Sequence, residues 1–475
     1  MYWLNLALTR MGFWITWALI PIVVEIIPSI VSTAKLMHRQ RRMPKLKAPQ
    51  KWPWVTIIVP VYNSEDTLFD CIRSIDRQTY PKQAMQIILA NNQSTDDSFG
   101  AYARAQDAFP NLFLRYVNTD KGKARALNAA IYESIGSYVI NIDSDGLLEP
   151  NAVKNMVLRF ESDNSIAAMT GAVLPQRQLV QQVSGWWHRL LAKNEYYEYA
   201  QAFLSGRTIE SFRDQLFTMS GAFSAFRREV LMETFLYDTD TIGEDTDMTF
   251  QIRTRLGKKV VICANAIFYV EPISGFAELY TQRQRWQRGE LEVAQNYMAQ
   301  TASLRGFFKD FLVRRIMIDH TFTFPRMIWT FATLVLIAFG YSTLVVGLSY
   351  LLIYGLYVLV GVINFISVGI LLKPYPAERR FYSRLWWLTL TLPIYMFLTG
   401  WIRLVGVINA MTTHATWRMR GFSEEWHQLI AVFLKSGTNS SRFYVMIGKR
   451  FAIIIGSAAK KSNGVSCQYL AGDDI

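Results

Sequence analysis

An uncharged run of 46 residues, Met327–Leu372, is the feature that most limits how this chain can fold. One helix needs about 20 apolar residues to cross the hydrocarbon core of a bilayer, so this run has room for two spans. A second uncharged run, Leu385–Ile402, is long enough for one more, and the apolar stretch Phe13–Ala34 carries a single charge, Glu25. The sequence therefore predicts a protein embedded in a lipid bilayer, with one span before its central region and about three after it.

Basic residues follow the first predicted span at once: Lys35, Arg39, Arg41, Arg42, Lys45 and Lys47. Positive residues gather on the cytoplasmic side of membrane proteins, so this cluster predicts a multi-pass plasma-membrane protein whose central region is cytoplasmic. A cleaved signal peptide is disfavoured, because the apolar run is too long and the basic cluster lies on the wrong side of it. Topology also accounts for the net charge of +13, and in the absence of a recognition motif we expect no nucleic-acid partner.

The chain divides into six predicted segments. In chain order they are an N-terminal transmembrane helix (1–35), a basic linker (36–54), a globular α/β domain (55–300), an interfacial helix (301–320), about three transmembrane helices (321–410) and a C-terminal tail (411–475). The basic and aromatic residues of 301–320 fit a helix in the membrane interface, and equally an amphipathic helix that covers the globular domain. Three C-terminal spans would place the tail outside the cell. The tail is rich in Lys and Arg, however, which leaves an interfacial position for it as an open alternative.

Short apolar runs alternate with helical patterns over the first half of the globular domain. The predicted strands are 55–59, ending at Pro60, 86–90, 113–117 and 138–142, and the predicted helices are 67–78, 101–108 and 123–135. Strands that alternate with helices indicate a parallel sheet in a Rossmann-like α/β domain. Ligands of such domains bind beyond the carboxyl ends of the strands, and polar clusters follow the strands here.

Two carboxylates, Asp143 and Asp145, flank Ser144 directly after the fourth predicted strand. Alternate residues of a strand point the same way, so both carboxylates could reach one cation. A hard divalent ion such as Mg²⁺ or Mn²⁺ takes oxygen ligands and bridges phosphates. The pair therefore indicates a metal site, with a turn-forming pair of aspartates as the alternative.

Six short motifs follow one another between residues 59 and 286. They read Val59-Pro60-Val61-Tyr62-Asn63, Ser94-Thr95-Asp96, Gly122-Lys123-Ala124-Arg125-Ala126-Leu127-Asn128, Ser220-Gly221-Ala222-Phe223-Ser224-Ala225-Phe226-Arg227, Glu244-Asp245 and Gln282-x-x-Arg285-Trp286. Together they resemble the family 2 inverting glycosyltransferases of GT-A fold, in the membrane-embedded branch that includes cellulose, chitin, hyaluronan and poly-N-acetylglucosamine synthases. A more distant similarity to a Gram-positive glycosyltransferase associated with an exosortase-like system indicates a bacterial pathway. The resemblance implies a GT-A catalytic domain inserted between transmembrane helices.

The resemblance also implies how a nucleotide-sugar, UDP-activated, would be held. By position, Tyr62, Asn63 and Glu65 would lie near the uridine and ribose, and Lys123 near the phosphates. Asn92 stands where the family often has an acidic residue that contacts the base. An amide both donates and accepts hydrogen bonds, so Asn92 could still bind uracil, but this departure leaves the identity of the nucleotide less firmly implied than the fold.

For the metal, the resemblance implies that Asp145 binds it directly and that Asp143 faces either the metal or the ribose. A bound Mg²⁺ or Mn²⁺ would neutralise the charge that builds up on the leaving diphosphate.

Asp245 matches the position of the family's catalytic base. Inversion at an anomeric carbon needs one carboxylate to deprotonate the acceptor hydroxyl as it attacks. The alternative for Asp245 is an acid at a helix start, stabilised by the helix dipole, and this is the favoured interpretation for the neighbouring Asp247.

The motif Gln282-x-x-Arg285-Trp286 implies the acceptor and pyrophosphate side of the site. Arg285 would stabilise the departing pyrophosphate, since a guanidinium is always charged and pairs well with phosphate oxygens. Trp286 would offer an aromatic face to an acceptor sugar, and Gln282 an amide to sugar or phosphate oxygens. The alternative is an interfacial tryptophan among snorkelling arginines, because Arg283 and Arg288 lie close by as well.

These observations favour a membrane-bound inverting glycosyltransferase that extends a saccharide, with processive synthesis coupled to export as one form of it. Transfer of a single sugar to a lipid-linked or other membrane acceptor is the first alternative, and a catalytically inactive scaffold is the second. An oligomer or accessory subunits are compatible with either enzyme.

Overall fold

The computed structural model describes residues 17–40, 48–298, 331, 333–412 and 421–425. A mixed sheet with the strand order β3-β2-β1-β4-β7-β6-β8-β5 forms the centre of the globular region. The strands are β1 (Val55–Val61), β2 (Met85–Asn91), β3 (Phe113–Asn118), β4 (Tyr138–Ile142), β5 (Leu147–Leu148), β6 (Ile166–Pro175), β7 (Phe223–Arg227) and β8 (Lys259–Val270). Strands β1 to β4 are parallel, and β7 runs antiparallel between β4 and β6.

Helices surround the sheet and extend from it. Numbered along the chain, they are α1 (Ile27–Gln40), α2 (Leu68–Asp76), α3 (Ser98–Ala108), α4 (Lys123–Tyr132), α5 (Ala152–Ser162), α6 (Arg177–Gln182), α7 (Trp186–Tyr199), α8 (Arg207–Phe212), α9 (Arg228–Leu231), α10 (Glu244–Phe250), α11 (Phe276–Met298), α12 (Thr343–Leu371), α13 (Pro376–Arg384) and α14 (Leu388–Thr412). A π-helical stretch, Ala200–Gly206, joins α7 to α8.

The sheet is buried on both faces, which explains why its strands are continuous apolar runs. All seven residues of β1 are buried. Ile57 belongs to the same core cluster as Ile72 of α2, whereas its neighbour Ile58 belongs to a second cluster with Leu127 of α4. Successive side chains of a strand point to opposite faces, so helices on both sides of the sheet require apolar residues at every position.

The strands and helices predicted for the first half of the domain are confirmed, with small shifts at their ends. The predicted stop at Pro60 is wrong, because β1 continues through Pro60 to Val61. Pairing of β1 with β4 ends at Ile58, while pairing with β2 continues to Val61. Pro60 therefore lies where the strand has a partner on one side, as at a sheet edge, and there the missing N–H of proline is tolerated.

Three described helices are long and apolar enough to cross a membrane: Trp17–Arg39, Thr343–Leu371 and Leu388–Val407. The hydroxyls of Thr33 and Ser367 lie 2.6 Å apart and join the first of these helices to α12. The expectation of one apolar helix before the domain is confirmed, and two of the three expected after it lie within the described residues. The predicted interfacial helix (301–320) and almost all of the tail (411–475) lie outside them.

A tight turn precedes α12. The amide of Tyr341 donates to the carbonyl of Leu336, and the amide of Gly340 donates to that of Ile337. Gly340 has a φ of 82°, so this is the Schellman pattern that ends a helix at a residue in the left-handed region. Helix therefore stops before Phe339 and starts again at Thr343, as in a hairpin.

The connection between α12 and α14 lies against the globular domain. The hydroxyl of Tyr196 donates to Oε2 of Glu378 on α13 at 2.8 Å, and the hydroxyl of Tyr375 donates to the carbonyl of Asn265 at 2.6 Å. These contacts place the C-terminal end of α12 and the N-terminal end of α14 on the same side as the domain.

Candidate active site

A cavity of about 470 Å³ opens beyond the carboxyl end of β4, between α10, α11 and the π-helical stretch 200–206. Seven of the residues predicted for the site line it: Lys123, Asp143, Asp145, Asp245, Gln282, Arg285 and Trp286. Residues separated by more than 160 positions in the sequence thus meet in one pocket. Four other predicted residues, Tyr62, Asn63, Glu65 and Asn92, do not line it.

Asp143 and Asp145 lie in the turn that follows β4 and not in the strand itself. The strand-alternation argument for their common direction is therefore wrong, although both side chains line the cavity. The turn is held in place by its neighbours instead. The amide of Asp143 donates to the carbonyl of Ala222 at 3.2 Å, and the hydroxyls of Ser144 and Ser64 lie 2.7 Å apart.

The two carboxylates have the character of a cation site. Burial, and then the negative charge of Asp143, raise the pKa of Asp145 to about 6. Two carboxylates that oppose each other's ionisation gain from a shared cation. The described residues contain no group of three or more His, Cys, Asp or Glu that could hold a metal. Mg²⁺ characteristically binds through one or two carboxylates plus substrate phosphates, so this donor set fits a metal that arrives with a diphosphate.

Lys123 is the cation nearest to the acidic pair. It begins α4 directly after Gly122, and its Nζ lies 2.7 Å from Oδ1 of Asp143 and 3.8 Å from Oε1 of Glu244. Glu244 is buried, and burial raises the pKa of this carboxyl to about 7, although the charge of Lys123 opposes the shift. Lys123 thus carries positive charge to the place where a diphosphate would meet the metal.

Asp245 faces the same cavity from the first turn of α10. Its Oδ2 accepts a hydrogen bond from the amide of Gly221 at 2.9 Å, and its Oδ1 accepts one from the amide of Thr246 at 2.7 Å. A Cβ at Gly221 would lie 3.3 Å from Oδ2 of Asp245, which is a tight contact, so glycine lets the carboxylate approach this close. The two amides fix the carboxylate in one orientation toward the cavity.

Asp247, two residues later, belongs to the protein interior. It accepts hydrogen bonds from Nε2 of Gln251 at 2.7 Å and from the hydroxyl of Tyr297 at 2.9 Å. It does not line the cavity, which agrees with its interpretation as a structural acid at a helix start.

The Gln282-x-x-Arg285-Trp286 motif lies on α11 and faces the cavity with all three residues. The ring of Trp286 packs edge-on against Phe203, with 5.7 Å between centroids, and lies 6.2 Å from the ring of Tyr199. Arg283 points the other way, is buried, and pairs with Oε2 of Glu198 at 2.5 Å. The alternative of a snorkelling arginine is therefore wrong for Arg283.

Three of the four strand-end residues predicted to hold the nucleotide accept hydrogen bonds from backbone amides of other loops. Oδ1 of Asn63 accepts from the amide of Thr95 at 2.8 Å, and Oε2 of Glu65 accepts from the amide of Asp97 at 3.2 Å. Oδ1 of Asn92 accepts from the amide of Gly122 and so fixes the start of α4. The ring of Tyr62 is half exposed. A direct role of these four residues in nucleotide binding stays a prediction.

The sequence interpretation missed several residues that line the cavity, among them Tyr199, Phe203, Arg207 and Glu244. Tyr199, Phe203 and Arg207 are spaced four residues apart, which is a helical pattern, but no motif marks them. Glu244 belongs to the Glu244-Asp245 motif, but its ion pair with Lys123 at 3.8 Å joins residues far apart in the sequence and has no local signal.

Comparison with known proteins supports the fold and the glycosyltransferase character of the domain. Residues 56–235 match the profile of Glycosyl transferase family 2. A poly-beta-1,6-N-acetyl-D-glucosamine synthase of Staphylococcus aureus (strain MSSA476) is 25% identical over 290 residues, covering 61% of this chain and 63% of that protein. A probable glycosyltransferase of Bacillus subtilis (strain 168), YdaM, is 26% identical over 282 residues, covering 57% and 63%. The chain thus spans less than two thirds of the length of these relatives.

Among solved structures, a mannosyltransferase from Pyrobaculum calidifontis, in complex with GDP-Man and Mn²⁺, shares the fold. The TM-score is 0.53 at 18% sequence identity, and the match covers 83% of this chain and 98% of that one. The match over residues 56–235 therefore identifies this region as a Glycosyl transferase family 2 domain, built on a GT-A-like sheet and with apolar helices long enough to cross a membrane on both sides of it.

Proposed function

We propose that this protein transfers a sugar from a UDP-sugar to a growing saccharide at the cytoplasmic face of a bacterial plasma membrane, with inversion at the anomeric carbon. One observation carries the proposal: a single cavity contains an acidic pair, a lysine, an oriented carboxylate and an Arg-Trp pair. Leaving-group binding, proton removal and acceptor binding need these residue types within one site.

The donor side of the cavity is the part near Asp143, Asp145 and Lys123. The two carboxylates would hold Mg²⁺ or Mn²⁺, which supplies charge neutralisation for the diphosphate. Mn²⁺ accompanies the nucleotide-sugar in the Pyrobaculum structure, which supports this choice. Lys123, held 2.7 Å from Asp143, adds a mobile positive charge that can move from the carboxylate to a phosphate oxygen.

The acceptor side is the part near Asp245 and Trp286. Asp245 removes the proton of the acceptor hydroxyl as that oxygen attacks the anomeric carbon, and the bond to the diphosphate breaks. Its carboxylate is already oriented by the amides of Gly221 and Thr246, so little reorganisation is needed at the moment of transfer. Arg285 stabilises the charge left on the diphosphate.

The extension of a polymer is proposed over single transfer because curated relatives that match this chain are polysaccharide synthases. Those relatives are named for poly-β-1,6-N-acetyl-D-glucosamine, so UDP-N-acetylglucosamine is the first donor to test. The size of the product separates extension of a saccharide from a single transfer to a lipid-linked acceptor.

The proposal is tested by nucleotide release from the full-length protein in detergent or nanodiscs. Purified enzyme is incubated with UDP- and GDP-sugars, with Mg²⁺, Mn²⁺ or a chelator, and the released nucleotide and the product length are measured. We expect release from one UDP-sugar, its loss with the chelator, and products longer than one added sugar. An absence of release from every donor would contradict the proposal.

Asp245→Asn should lower the rate of transfer by roughly 10²–10⁴-fold, because the amide cannot take the acceptor proton. UDP binding, measured by calorimetry, should stay at the wild-type level. Asp247→Asn, on the same helix but outside the cavity, is the matched control and should keep its turnover within a few-fold. Normal turnover of Asp245→Asn would rule out this residue as the base.

A further inference from the structure

Arg207 is a cavity residue to which neither the motifs nor the proposed chemistry assigns a role. It lines the same cavity as Asp245 and Trp286, from the first turn of α8. Its guanidinium lies 4.6 Å from the centroid of the Phe203 ring. Phe203 in turn packs edge-on against Trp286, so Arg207 is one aromatic ring away from the expected acceptor platform.

The guanidinium of Arg207 has no hydrogen bond or ion pair with another residue in the part of the chain that the structure describes. Its Nη1 is shielded from solvent and lacks a partner there. A guanidinium carries five N–H donors, and leaving buried donors unsatisfied is costly unless a ligand satisfies them. The side chain is therefore suited to donate hydrogen bonds to a ligand in the cavity.

The charges around Arg207 indicate which ligand fits. Negative charges at Glu210, Asp245 and Glu290 act on it from α8, α10 and α11. Their negative potential offsets the single positive charge, so a further anion would gain little at this place. Sugar hydroxyl and ring oxygens accept hydrogen bonds from a guanidinium without adding charge.

A second buried group in the cavity supports a hydroxylated ligand. Oε1 of Gln282 is shielded from solvent and lacks a hydrogen-bond partner among the described residues. The wall of the cavity thus presents a donor at Arg207 and acceptors at Gln282 and Asp245. A sugar hydroxyl can both accept and donate, whereas a carboxylate or phosphate only accepts.

We propose that Arg207 is an acceptor-binding residue, which donates hydrogen bonds to oxygens of a neutral sugar stacked on Trp286 with its reactive hydroxyl beside Asp245. This inference rests on the proposed function. It adds the class of acceptor, an uncharged saccharide, and a residue that selects it.

The test compares Arg207→Gln and Arg207→Lys with the wild-type protein, full length and in detergent. The probes are UDP-N-acetylglucosamine as donor, a neutral N-acetylglucosamine oligosaccharide as acceptor, and a uronic-acid oligosaccharide of the same length. Arg207→Gln should raise the KM for the neutral acceptor roughly 10- to 100-fold, the effect expected for losing a charged hydrogen bond. Arg207→Lys, which keeps the charge but loses the planar fork, should raise it less.

Three readouts separate acceptor binding from other roles. The KM for the donor, the slow release of UDP into water without acceptor, and the pH profile of turnover should all stay at wild-type values in both variants. A shifted pH profile would show that Arg207 acts through Asp245. A lower turnover with an unchanged acceptor KM would also overturn the proposal, and so would tighter binding of the uronic-acid oligosaccharide than of the neutral one.

Arg253→Gln is the matched control, because Arg253 lies outside the cavity and pairs with Asp214 at 3.3 Å. Its acceptor KM should not change. Calorimetric binding of the neutral oligosaccharide, in the presence of UDP and Mg²⁺, gives a result that does not depend on turnover. If no donor reacts, the proposed function fails. The role of Arg207 is then decided by whether its replacement weakens this binding.

Discussion

Glu195 is a buried carboxyl group on α7. It is 1% exposed, and its Oε2 accepts a hydrogen bond from the amide of Ile273 at 2.9 Å. Burial raises the pKa of Glu195 from 4.5 to about 8, although this hydrogen bond and Arg283 oppose the shift. The protonated form is therefore the one that the folded protein prefers at neutral pH.

The pKa of Glu195 predicts how stability depends on pH. Because the folded pKa lies above the unfolded value, the folded state binds the extra proton, and this stabilisation is complete below about pH 4.5 and lost as the pH rises through about 8. Between about pH 6 and pH 9 the wild type should lose on the order of 3 kcal/mol from this group. Thermal unfolding measured across this range should show a flatter dependence for Glu195→Gln.

The control for this prediction is Glu229→Gln, since Glu229 is exposed. Its pH dependence should match that of the wild type. Equal slopes for wild type and Glu195→Gln would show that this carboxyl is not the titrating group.

At the scale of residues, the predictable part of the site is the part with motifs. Asp245 and Trp286 could be predicted as site residues because each stands in a short run whose order along the chain resembles a known family, and Asp143 and Asp145 because they directly follow a predicted strand. All four line the cavity. Arg207 could not, because an arginine four residues after a phenylalanine is ordinary in any helix. Its significance comes from what surrounds it in space, namely a cavity and no hydrogen-bond partner among the described residues.

Helix α11 has two polar faces, of which one lines the cavity and the other contacts α14. One face carries Gln282, Arg285 and Trp286 into the cavity. The other packs on α14, where Nδ2 of Asn409 donates to Oε1 of Gln284 at 3.0 Å and Nε of Arg403 donates to Oε1 of Gln287 at 2.7 Å. The helix that is proposed to bind the acceptor is therefore fixed to a candidate membrane span.

The strongest link between these elements is a buried ion pair. Arg283 lies 4.4 Å from the centroid of the Trp286 ring and pairs with Glu198 of α7, which also accepts from the hydroxyl of Tyr395 on α14 at 2.9 Å. Three helices, α7, α11 and α14, thus meet at one carboxylate. Removing a buried partner leaves an uncompensated charge, which is far more costly than losing an exposed pair.

Glu198→Gln should lower the free energy of unfolding by roughly 3–5 kcal/mol, because Arg283 stays buried without its counter-charge. Glu233→Gln is the matched control. It removes the partner of Lys258 in an exposed pair of 2.6 Å and should cost at most about 1 kcal/mol. Both are measured by denaturation of the purified protein in the same detergent. Similar losses in the free energy of unfolding for the two variants would contradict the expectation that the buried pair stabilises the fold more than the exposed one.

At the scale of elements, the parallel strands were predictable because each is an apolar run bounded by turn residues. Strand β5 has two residues, Leu147 and Leu148, which is too short for any periodicity. The π-helical stretch 200–206 was not predictable either, since its widened turn depends on packing and leaves no pattern in the sequence. The link between α11 and α14 is a tertiary contact between residues more than 100 positions apart.

The whole molecule places its domain on one side of α12. This helix has 29 residues, so it is about 43 Å long, which exceeds the hydrocarbon thickness of a bilayer. Its C-terminal end leads to α13, which contacts the globular domain through Glu378. If α12 crosses the membrane, we expect the turn at its N-terminal end, residues 339–342, on the opposite side.

Cysteine labelling tests this arrangement in intact cells. In a variant whose native cysteines, Cys71, Cys263 and Cys467, are replaced by serine, Ser342→Cys should react with an impermeant maleimide added outside. Ser383→Cys, on the exposed face of α13, should react only after the membrane is permeabilised. Labelling of both positions from the same side would contradict this topology.

In this expected topology, the Schellman turn at Gly340 faces the cell exterior. Because so few residues connect the two helical segments there, this part of the protein offers the surrounding medium almost no free peptide. A protease added to intact cells should not cleave at this turn, because the turn contains no extended segment that could enter an active site. An envelope protein that docks here would have to recognise the flanks of helices within the lipid.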